Sequence, residues 1–489
     1  MKPKDCDVLV VGAGNAALSS AFSAHEHGAK VLVLEKAPRS ARGGNTRWAG
    51  GAYRFAHRGK EEILEFVPNL SPAEKEAIVV DPYTKDDFYV DLIRVTRGLA
   101  DSELCKILVN ESNAAVRWLT KLGLEWELWT EYCIRRGGKL YWQGKGAPPI
   151  KGKGAGEGIA ETEARIAEGL GIPILYETKA VGLLVNDTGK VVGAKVRDKD
   201  GFREITCNAV VLGSGGFSAN AEMRCKYLGP TWDTMKVRGT RYNTGETINM
   251  ALELGAQPSG HWSGCHCSIV GAEQPPVEFG DAGNRYSYPF SIMVDEAAER
   301  FVDEGEDAVL LTYAKFGRTV LNRPHSIAFQ IFDAKVKSLI MPFYESVKPI
   351  VANTIEELAK RLTVDPTKLQ QTIEEYNKAV SNSTEFNPAE KDGKNTTGID
   401  PPKSNWAQRI DTPPYLAYPV TGGLTFTFGG LKFDKNVQVL DTEGHPIPGL
   451  YAAGEIAGLF YYNYPGGSGL TRGTVFGRIA GAKAAQENE

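Results

Sequence analysis

Residues 6–17 read Cys-Asp-Val-Leu-Val-Val-Gly-Ala-Gly-Asn-Ala-Ala, a short apolar run followed at once by a glycine-rich turn. Such a continuous apolar run is typical of a buried parallel strand. A helical pattern then continues to about His27, and a second apolar run over 29–34 ends at Glu35. This order predicts a dinucleotide-binding βαβ unit, whose turn meets a pyrophosphate and whose acid accepts hydrogen bonds from a ribose.

The composition is that of a globular chain of two to four domains, at ~100–200 residues per domain. Glycine supplies 54 of the 489 residues, which is above the usual ~7% and indicates many tight turns and close backbone approaches. Hydrophobic residues at 42% and charged residues at 24% exclude a disordered chain.

The charge balance argues against nucleic-acid or membrane partners. The net charge of −4 provides no general surface for nucleic acid or anionic lipid. No run of about 18 apolar residues predicts a membrane span, and the polar first residues predict no signal peptide. Seven scattered cysteines without a CxxC pair predict a reducing, cytoplasmic location and neither metal, haem nor iron–sulfur ligands.

Further glycine-rich segments distinguish between dinucleotides. Residues 42–51 read Arg-Gly-Gly-Asn-Thr-Arg-Trp-Ala-Gly-Gly, 209–216 read Ala-Val-Val-Leu-Gly-Ser-Gly-Gly, and 449–455 read Gly-Leu-Tyr-Ala-Ala-Gly-Glu. With Gly466-Gly467-Ser468-Gly469-Leu470-Thr471 near the end, they resemble the fumarate reductase/succinate dehydrogenase flavoprotein superfamily. The resemblance implies an α/β fold, with a doubly wound, Rossmann-like FAD-binding domain and an inserted α+β cap domain.

The resemblance also implies which residues contact FAD, and how. A histidine lies in the 42–51 loop of the covalently flavinylated relatives, where this sequence has Gly44, so the implied FAD is non-covalent. The implied contacts come from both ends of the chain and from the strands between them: Gly12, Gly14, Asn15, Ala16, Glu35, Lys36, Arg42, Gly43, Gly44, Asn45, Thr46, Ala49, Gly50, Gly51, Ala180, Val181, Gly213, Ser214, Gly215, Gly454, Glu455, Gly469 and Leu470.

The predicted organisation places the FAD-binding domain at 1–259 and 418–489 and the cap at 260–417. Two more segments, Thr244-Gly245-Glu246 and Arg300-Phe301-Val302-Asp303-Glu304, resemble the superfamily's TGDG and RFVNE motifs. Patterning predicts strands over 172–177, 180–186 and 190–197. It predicts helices over 85–97, 101–122, 157–169, 247–254, 354–362 (with a Thr354–Glu357 capping box), 366–381 and 474–486.

Three residues that handle fumarate in the superfamily are replaced. Ala308 stands where the proton-shuttling arginine is expected, residues 425–430 contain no histidine, and Tyr464 stands where the loop arginine is expected. Ordinary fumarate reductase or succinate dehydrogenase activity is therefore not expected. Instead, residues 261–266, 286–290, 312–318 and 461–467 together resemble FAD-dependent tricarballylate dehydrogenases. The segment Tyr464-Pro465-Gly466 also resembles 3-ketosteroid Δ1-dehydrogenases, which bind a carbonyl and abstract a proton with tyrosines near the flavin.

These resemblances suggest five candidate catalytic residues, each with a structural alternative. Tyr464 is a candidate for substrate contact and Tyr313 for the base or its relay, and either can instead be a packing residue. His261 is a candidate hydrogen-bond donor to the substrate. Arg241 and Arg285 are candidate carboxylate clamps, or else form salt bridges on the surface or in the cap.

The implied reaction is desaturation of a small, tricarballylate-like polycarboxylate, with hydride transfer to flavin N5 and an external acceptor: quinone, O2 or a separate redox protein. Three alternatives stay open. They are an ene-reductase acting on an activated enoate, a 3-ketosteroid-type Δ1-dehydrogenase, and a flavoprotein subunit that only transfers electrons.

Overall fold

The structure is a computed structural model that describes residues 4–487. Its helices are α1 Asn15–Glu26, α2 Lys60–Phe66, α3 Pro72–Ala77, α4 Lys85–Val95, α5 Ser102–Leu122, α6 Ala155–Gly169, α7 Ala221–Leu228, α8 Glu246–Glu253, α9 Tyr313–Leu321, α10 Ile355–Leu362, α11 Pro366–Ala379 and α12 Ser468–Ala484.

The strands are β1 Val8–Val11, β2 Val31–Leu34, β3 Ile78–Val79, β4 Trp126–Leu128, β5 Cys133–Arg136, β6 Lys139–Trp142, β7 Ile150–Gly152, β8 Ile174–Leu175, β9 Lys179–Val185, β10 Val191–Asp198, β11 Gly201–Thr206, β12 Ala209–Leu212, β13 Lys236–Val237, β14 Pro258–Ser259, β15 Cys265–Gly271, β16 Ile292–Asp295, β17 Ala328–Phe332, β18 Ile350–Ala352, β19 Tyr415–Thr427, β20 Gly430–Leu431, β21 Gln438–Leu440 and β22 Pro446–Ala452.

The central sheet has the strand order β21-β22-β12-β1-β2-β8. Its strands from β22 to β8 are parallel, and β21 adds an antiparallel edge. The β1 sequence Val-Leu-Val-Val is buried at every position, as expected for a parallel strand covered on both faces. This doubly wound arrangement confirms the predicted fold class, and it brings segments from both ends of the chain side by side.

The first helix and the last helix pack against each other on this sheet. Glycines of α12 allow their backbones to touch: a Cβ on Gly477 would lie 2.5 Å from the Ala16 carbonyl oxygen, and one on Gly481 would lie 2.1 Å from that of Ser20. The predicted helix over 474–486 therefore begins too late. In the structure the helix starts at Ser468, because packing on α1 outweighs the weak helix propensity of Gly469 and Gly473.

A second mixed sheet is built around the long strand β19. Its main path is β13-β19-β17-β16, and β15 and β18 also pair with β19. Residue 417, the last of the predicted cap, lies within β19, and β13 joins this sheet from the predicted FAD-binding side. The division into domains stays a prediction.

Most other predicted elements match the structure within a few residues. The strands predicted over 180–186 and 190–197 form β9 and β10, but the sequence reading missed β11, which completes this small sheet. At α10, Thr354 caps the amide of Glu357, whereas the Glu357 carboxylate accepts from Asn353 and not from Thr354. Only half of the predicted capping box forms.

Candidate active site

A long cleft opens where the strands of the central sheet end. Turns after β1, β2, β12 and β22 contribute Gly12, Glu35, Gly213 and Gly454 to its wall. Ligands of open α/β sheets bind at this carboxyl edge. From there the cleft runs between the N-termini of α1 and α12 towards a group of aromatic side chains under the second sheet.

The glycine turn after β1 leaves no room for a side chain. Gly12 has φ +107°, and a Cβ there would lie 2.7 Å from the carbonyl oxygen of Gly213. Gly14 is the N-cap of α1 and provides no side-chain hydrogen bond to the helix. The positive end of the helix dipole is thus suited to an anion such as a pyrophosphate.

Two buried glutamates mark different parts of the cleft. Glu35 accepts hydrogen bonds from the amides of Ala13 and Ala37, at 2.9 and 2.8 Å. Glu455 accepts from the Thr427 amide at 2.8 Å and from Asn243 Nδ2 at 3.0 Å. Burial raises the pKa of both carboxyls, although these hydrogen bonds oppose it. Both side chains are therefore held rigidly at the wall of the cleft.

The loop over residues 43–51 joins the two ends of the site. Asn45 donates from Nδ2 to the carbonyl of Thr425 at 3.1 Å and accepts at Oδ1 from the amide of Thr240 at 3.0 Å. Thr46 Oγ1 accepts from the Asn15 amide at 3.0 Å. The loop is therefore tied to α1 on one side and to β19 on the other.

The N-terminus of α12 faces the same cleft. Its N-cap is Gly467, without a side-chain cap, and Gly469, Leu470 and Arg472 line the wall. Two helix N-termini whose N-cap glycines provide no side-chain cap, together with glycine-lined walls, fit a dinucleotide that carries a pyrophosphate. The residues present therefore fit FAD as the resident cofactor.

At the far end of the cleft, hydroxyl and imidazole groups form a hydrogen-bonded chain. The hydroxyls of Tyr313 and Tyr464 bond to each other, and the Tyr464 hydroxyl lies 3.2 Å from Nδ1 of His266. Burial raises the pKa of Tyr464 to about 12, and it raises that of Tyr313 well above its usual range. Burial, together with nearby Arg238, holds the pKa of His266 well below its usual range. Both phenols are protonated and the imidazole is neutral at pH 7.

Two buried arginines line the cleft near this chain. Arg238 pairs with Asp281 at 2.6 Å and donates to Thr425 Oγ1 at 3.0 Å. Burial lowers the pKa of Arg238, but the nearby Tyr286 and Asp281 raise it by more than burial lowers it. The guanidinium therefore stays charged. Arg472 packs its guanidinium 4.5 Å from the centre of the Phe460 ring, and burial lowers its pKa to about 10.

Residues 7–470 match the family model described as FAD binding domain. The chain belongs to this FAD-binding family. The prediction of FAD as cofactor is thereby confirmed, as is that of an FAD-dependent oxidoreductase of the fumarate reductase superfamily.

Two similar proteins and one similar structure are as follows. "Probable fumarate reductase Ifc3" from Shewanella frigidimarina is 30% identical over 98% of this chain and 74% of its own. Urocanate reductase from Eggerthella lenta is 29% identical over 98% of this chain and 75% of its own. A 3-ketosteroid Δ1-dehydrogenase structure from Sterolibacterium denitrificans has a TM-score of 0.73 and 22% identity. The match covers 99% of this chain and 100% of that one. The last likeness concerns the fold alone.

Most residues expected to contact FAD line the cleft of this FAD-binding protein. Three do not. Arg42 pairs with Glu161, and Gly43 is the left-handed N-cap of the short 3-10 helix Gly44–Trp48. Val181 lies in β9 and, unlike its neighbour Ala180, is not part of the wall.

Among the five candidate catalytic residues, Tyr313 and Tyr464 meet in the cleft, and the other three lie elsewhere. Arg241 is 59% exposed and pairs with Glu278. Arg285 is buried but pairs with Glu273 and donates to the carbonyl of Asn284 at 2.8 Å. His261 accepts at Nδ1 from the amide of Tyr462 at 3.0 Å and lies outside the wall. Salt bridges and local hydrogen bonds hold these side chains away from the cleft.

The five candidate catalytic residues predicted from sequence do not include Arg238, Arg472, Tyr132, Tyr286 or His266. All five line the cleft. Arg238 follows β13 directly and precedes Arg241 by three residues. No sequence pattern distinguishes which of these two arginines is buried.

Proposed function

We propose that this chain exchanges hydride with a carbon–carbon bond next to a carbonyl or carboxylate group, forming or reducing a conjugated double bond. The observation that supports this proposal is the hydrogen-bonded chain of Tyr313, Tyr464 and His266 in the wall of the FAD cleft. When bound, FAD supplies the two-electron redox chemistry. The protein must then stabilise charge on the activating group and move one proton.

The tyrosine pair is suited to both tasks. A protonated Tyr464 can donate a hydrogen bond to the substrate's carbonyl oxygen, where negative charge develops. Arg238 and Arg472 lower the pKa of Tyr464 against the effect of burial, so their positive charges stabilise its phenolate form. In desaturation, one phenol can accept the substrate's proton while its own hydroxyl proton moves along the chain to a ring nitrogen of the neutral His266; in reduction, the protons move the other way.

The charges in the cleft favour a substrate with one activating group over a tricarboxylate. Arg238 is neutralised by Asp281, and neither Arg241 nor Arg285 lines the cleft. A tricarboxylate would bring three charges to a site with few unpaired cations, and each buried charge without a partner is costly. Tricarballylate is therefore the less favoured substrate.

The direction of the reaction has support on both sides. The similar proteins named fumarate reductase and urocanate reductase favour reduction of an enoate. The Tyr464-Pro465-Gly466 segment, by its resemblance to ketosteroid dehydrogenases, favours desaturation. Either direction requires an external redox partner; quinone, O2 or a separate redox protein remains part of the proposal, as does a cytoplasmic location. Within residues 4–487, no helix is long and apolar enough to cross a membrane.

Anaerobic mixing tests both the reaction and its direction. Oxidised protein is mixed with saturated acids and ketones, and dithionite-reduced protein with their unsaturated counterparts, while the flavin absorbance is recorded. Bleaching by a saturated compound identifies a dehydrogenase, and recolouring by an unsaturated compound identifies a reductase. The panel includes tricarballylate, succinate, crotonate and cyclohexenone. If no compound in a broad panel changes the flavin, the proposed function is wrong and a role in electron transfer alone gains support.

A further inference from the structure

Arg472 differs from the other lysine and arginine side chains in the wall of the cleft. Within residues 4–487, the other three form ion pairs with acidic residues of the same wall: Lys36 and Lys179 with Glu246, and Arg238 with Asp281. Arg472 forms no ion pair with any residue in this range. Its positive charge is therefore the one in the wall that no acidic side chain neutralises by direct contact.

The guanidinium of Arg472 is also poorly supplied with hydrogen bonds. The residue is 2% exposed, and its Nε has no hydrogen-bond partner. Its Nη1 reaches only the carbonyl of Ala457, at 3.5 Å, which is a long and weak hydrogen bond. Burial lowers the pKa of Arg472 to about 10, and the nearby Glu455 offsets this only in part. A buried charge in such surroundings is costly unless an anion joins it.

The position of Arg472 on α12 adds to this positive charge. The helix begins after Gly467, which provides no side-chain cap, and its first turn contains no acidic residue. Side chains of a helix lean towards its N-terminus. Arg472, five residues after the N-cap, thus brings its charge towards the positive end of the helix dipole. Two positive contributions at one helix end repel each other unless an anion faces them.

The place of Arg472 in the cleft indicates which part of FAD meets this charge. The centre of the Phe426 ring lies 5.7 Å from the guanidinium carbon and 5.0 Å from the centre of the Tyr464 ring. Arg472 is thus one ring away from the proton-transfer chain, at the end of the cleft where the flavin ring must meet the substrate. The oxidised flavin ring is neutral. A hydride brings two electrons and one proton to it, which leaves the ring with one negative charge.

We propose that Arg472 stabilises the negative charge that the flavin ring acquires on reduction, and that it thereby raises the reduction potential of the bound FAD. The inference goes beyond the proposed function. It takes from that proposal only the placement of the flavin ring beside Tyr464. The substrate's activating oxygen is met by the Tyr464 hydroxyl, so the charge of Arg472 remains available to the cofactor.

The test is a redox titration of the FAD-loaded protein against a reference dye, which requires no substrate. Arg472→Met removes the charge and keeps an apolar stem. We expect the equilibrium constant for flavin reduction to fall at least about tenfold, since a nearby opposite charge shifts an ionisation by one to three powers of ten. Tenfold corresponds to ~30 mV for a two-electron couple. Arg472→Lys retains a positive charge and should keep the potential close to that of the unmodified protein.

The matched control is Arg478→Met. Arg478 lies on the same helix, about 9 Å further along its axis, where it packs on Trp118 outside the wall of the cleft. Its loss should leave the potential unchanged. An unchanged potential in R472M would overturn the inference, and so would an equal fall in R478M. Weaker binding of carboxylic acids to R472M at an unchanged potential would make Arg472 a substrate clamp instead.

Sulfite provides a second measurement, which does not depend on the folding of a variant. The lone pair of its sulfur forms a bond to flavin N5 without any further reactant, and a negative charge is left on the ring. We therefore expect sulfite to bleach the flavin of the unmodified protein, and R472M to require at least about tenfold more of it. Failure of excess sulfite to bleach the unmodified protein would contradict the inference. If the potentials and the sulfite affinities behave as expected but no acid or ketone changes the flavin absorbance, the role of Arg472 stands and the proposed function fails.

Discussion

The cofactor end of the cleft is built mainly from backbone atoms, whereas the substrate end is built from side chains. At the cofactor end, glycines and backbone amides form the wall, as at Gly12, Gly14 and Gly467. At the substrate end, the wall consists of side chains brought together from distant segments, including His266, Tyr313 and Tyr464. A backbone wall is sensitive to any added atom, whereas a side-chain wall is sensitive to the loss of one functional group.

The largest effect is expected from removing one hydroxyl at the substrate end. Tyr464→Phe keeps the ring but interrupts the chain between Tyr313 and His266. We expect the rate of flavin reduction or reoxidation by substrate to fall by about 10²-fold or more, with FAD still bound. Stopped-flow absorbance measures this rate.

Tyr462→Phe serves as the control for this experiment. Tyr462 belongs to the same aromatic segment but is 39% exposed, and its loss of a hydroxyl should leave the rate unchanged. A Y464F protein that retains the full rate would show that the substrate end does not depend on its hydroxyl chain.

At the cofactor end, the sharpest change is the addition of a methyl group. Gly12→Ala places a Cβ 2.7 Å from the Gly213 carbonyl and at a positive φ. We expect FAD affinity to fall by at least about tenfold, because an overpacking cost of ~1–3 kcal/mol opposes the bound geometry. Fluorescence of released flavin during dilution measures the change.

Gly28→Ala separates crowding from backbone strain. Gly28 also has a positive φ, +85°, but a Cβ there meets nothing within 4 Å. This variant should lose only the ~1–2 kcal/mol typical of a strained residue, and its FAD affinity should stay unchanged. Equal loss of FAD in both variants would assign the effect to backbone strain and not to the wall of the cleft.

Where the two ends meet, a buried arginine supports the loop that carries Tyr464. Arg54 donates from Nε to the Gly466 carbonyl at 2.7 Å and from Nη1 to the Tyr83 hydroxyl at 3.1 Å. Arg54→Met removes the side-chain donor of the Gly466 carbonyl and leaves the Tyr83 hydroxyl bonded to Asp91 alone, so we expect a loss of about 1–3 kcal/mol in the free energy of unfolding and a several-fold lower turnover. Denaturant titration and steady-state kinetics measure the two effects.

Arg241→Met is the comparison for this variant, because Arg241 is an exposed arginine paired with Glu278. It should leave both stability and turnover unchanged. Loss of turnover in R241M would restore Arg241 as a carboxylate clamp and contradict the side-chain arrangement described for the substrate end.

The smallest expected effect is that of pH on the rate of the half-reaction. The pKa of His266 lies well below its usual range and that of Tyr464 is about 12, so neither group titrates between pH 7 and 9. Acid would protonate His266 and remove its capacity to accept a proton, but only well below pH 6.5. We therefore expect the rate of the half-reaction to vary less than about twofold over pH 7–9. A titration midpoint inside this window would show that a different group moves the proton.

The same contrast explains what the sequence could predict. Gly12, Glu35 and Glu455 stand at fixed distances from the ends of apolar strands, so local pattern was enough to place them at the cleft. Arg238 and Arg241 are three residues apart in an irregular segment, and only the tertiary contacts with Asp281 or Glu278 decide which one is buried. Side-chain walls depend on such contacts, which have no local signature.

The start of α12 shows the same limit within the cofactor end. Residues 466–473 read Gly-Gly-Ser-Gly-Leu-Thr-Arg-Gly, a pattern that predicts a turn because glycine disfavours helix. The structure has a helix from Ser468 because these small residues allow close contact with α1. The gain lies in a partner helix near the other end of the chain, which no window of local sequence includes.

That contact has a consequence for the order of events in the cell. Asn15 and Leu470, whose side-chain amide and carbonyl are 2.9 Å apart, are separated by 455 positions in the chain. At a synthesis rate of ~5–20 residues per second, the ribosome adds the second residue about 20 to 90 seconds after the first. The nascent βαβ unit therefore forms before the second wall of the cleft exists, and FAD can be enclosed from both sides only after translation has passed Leu470.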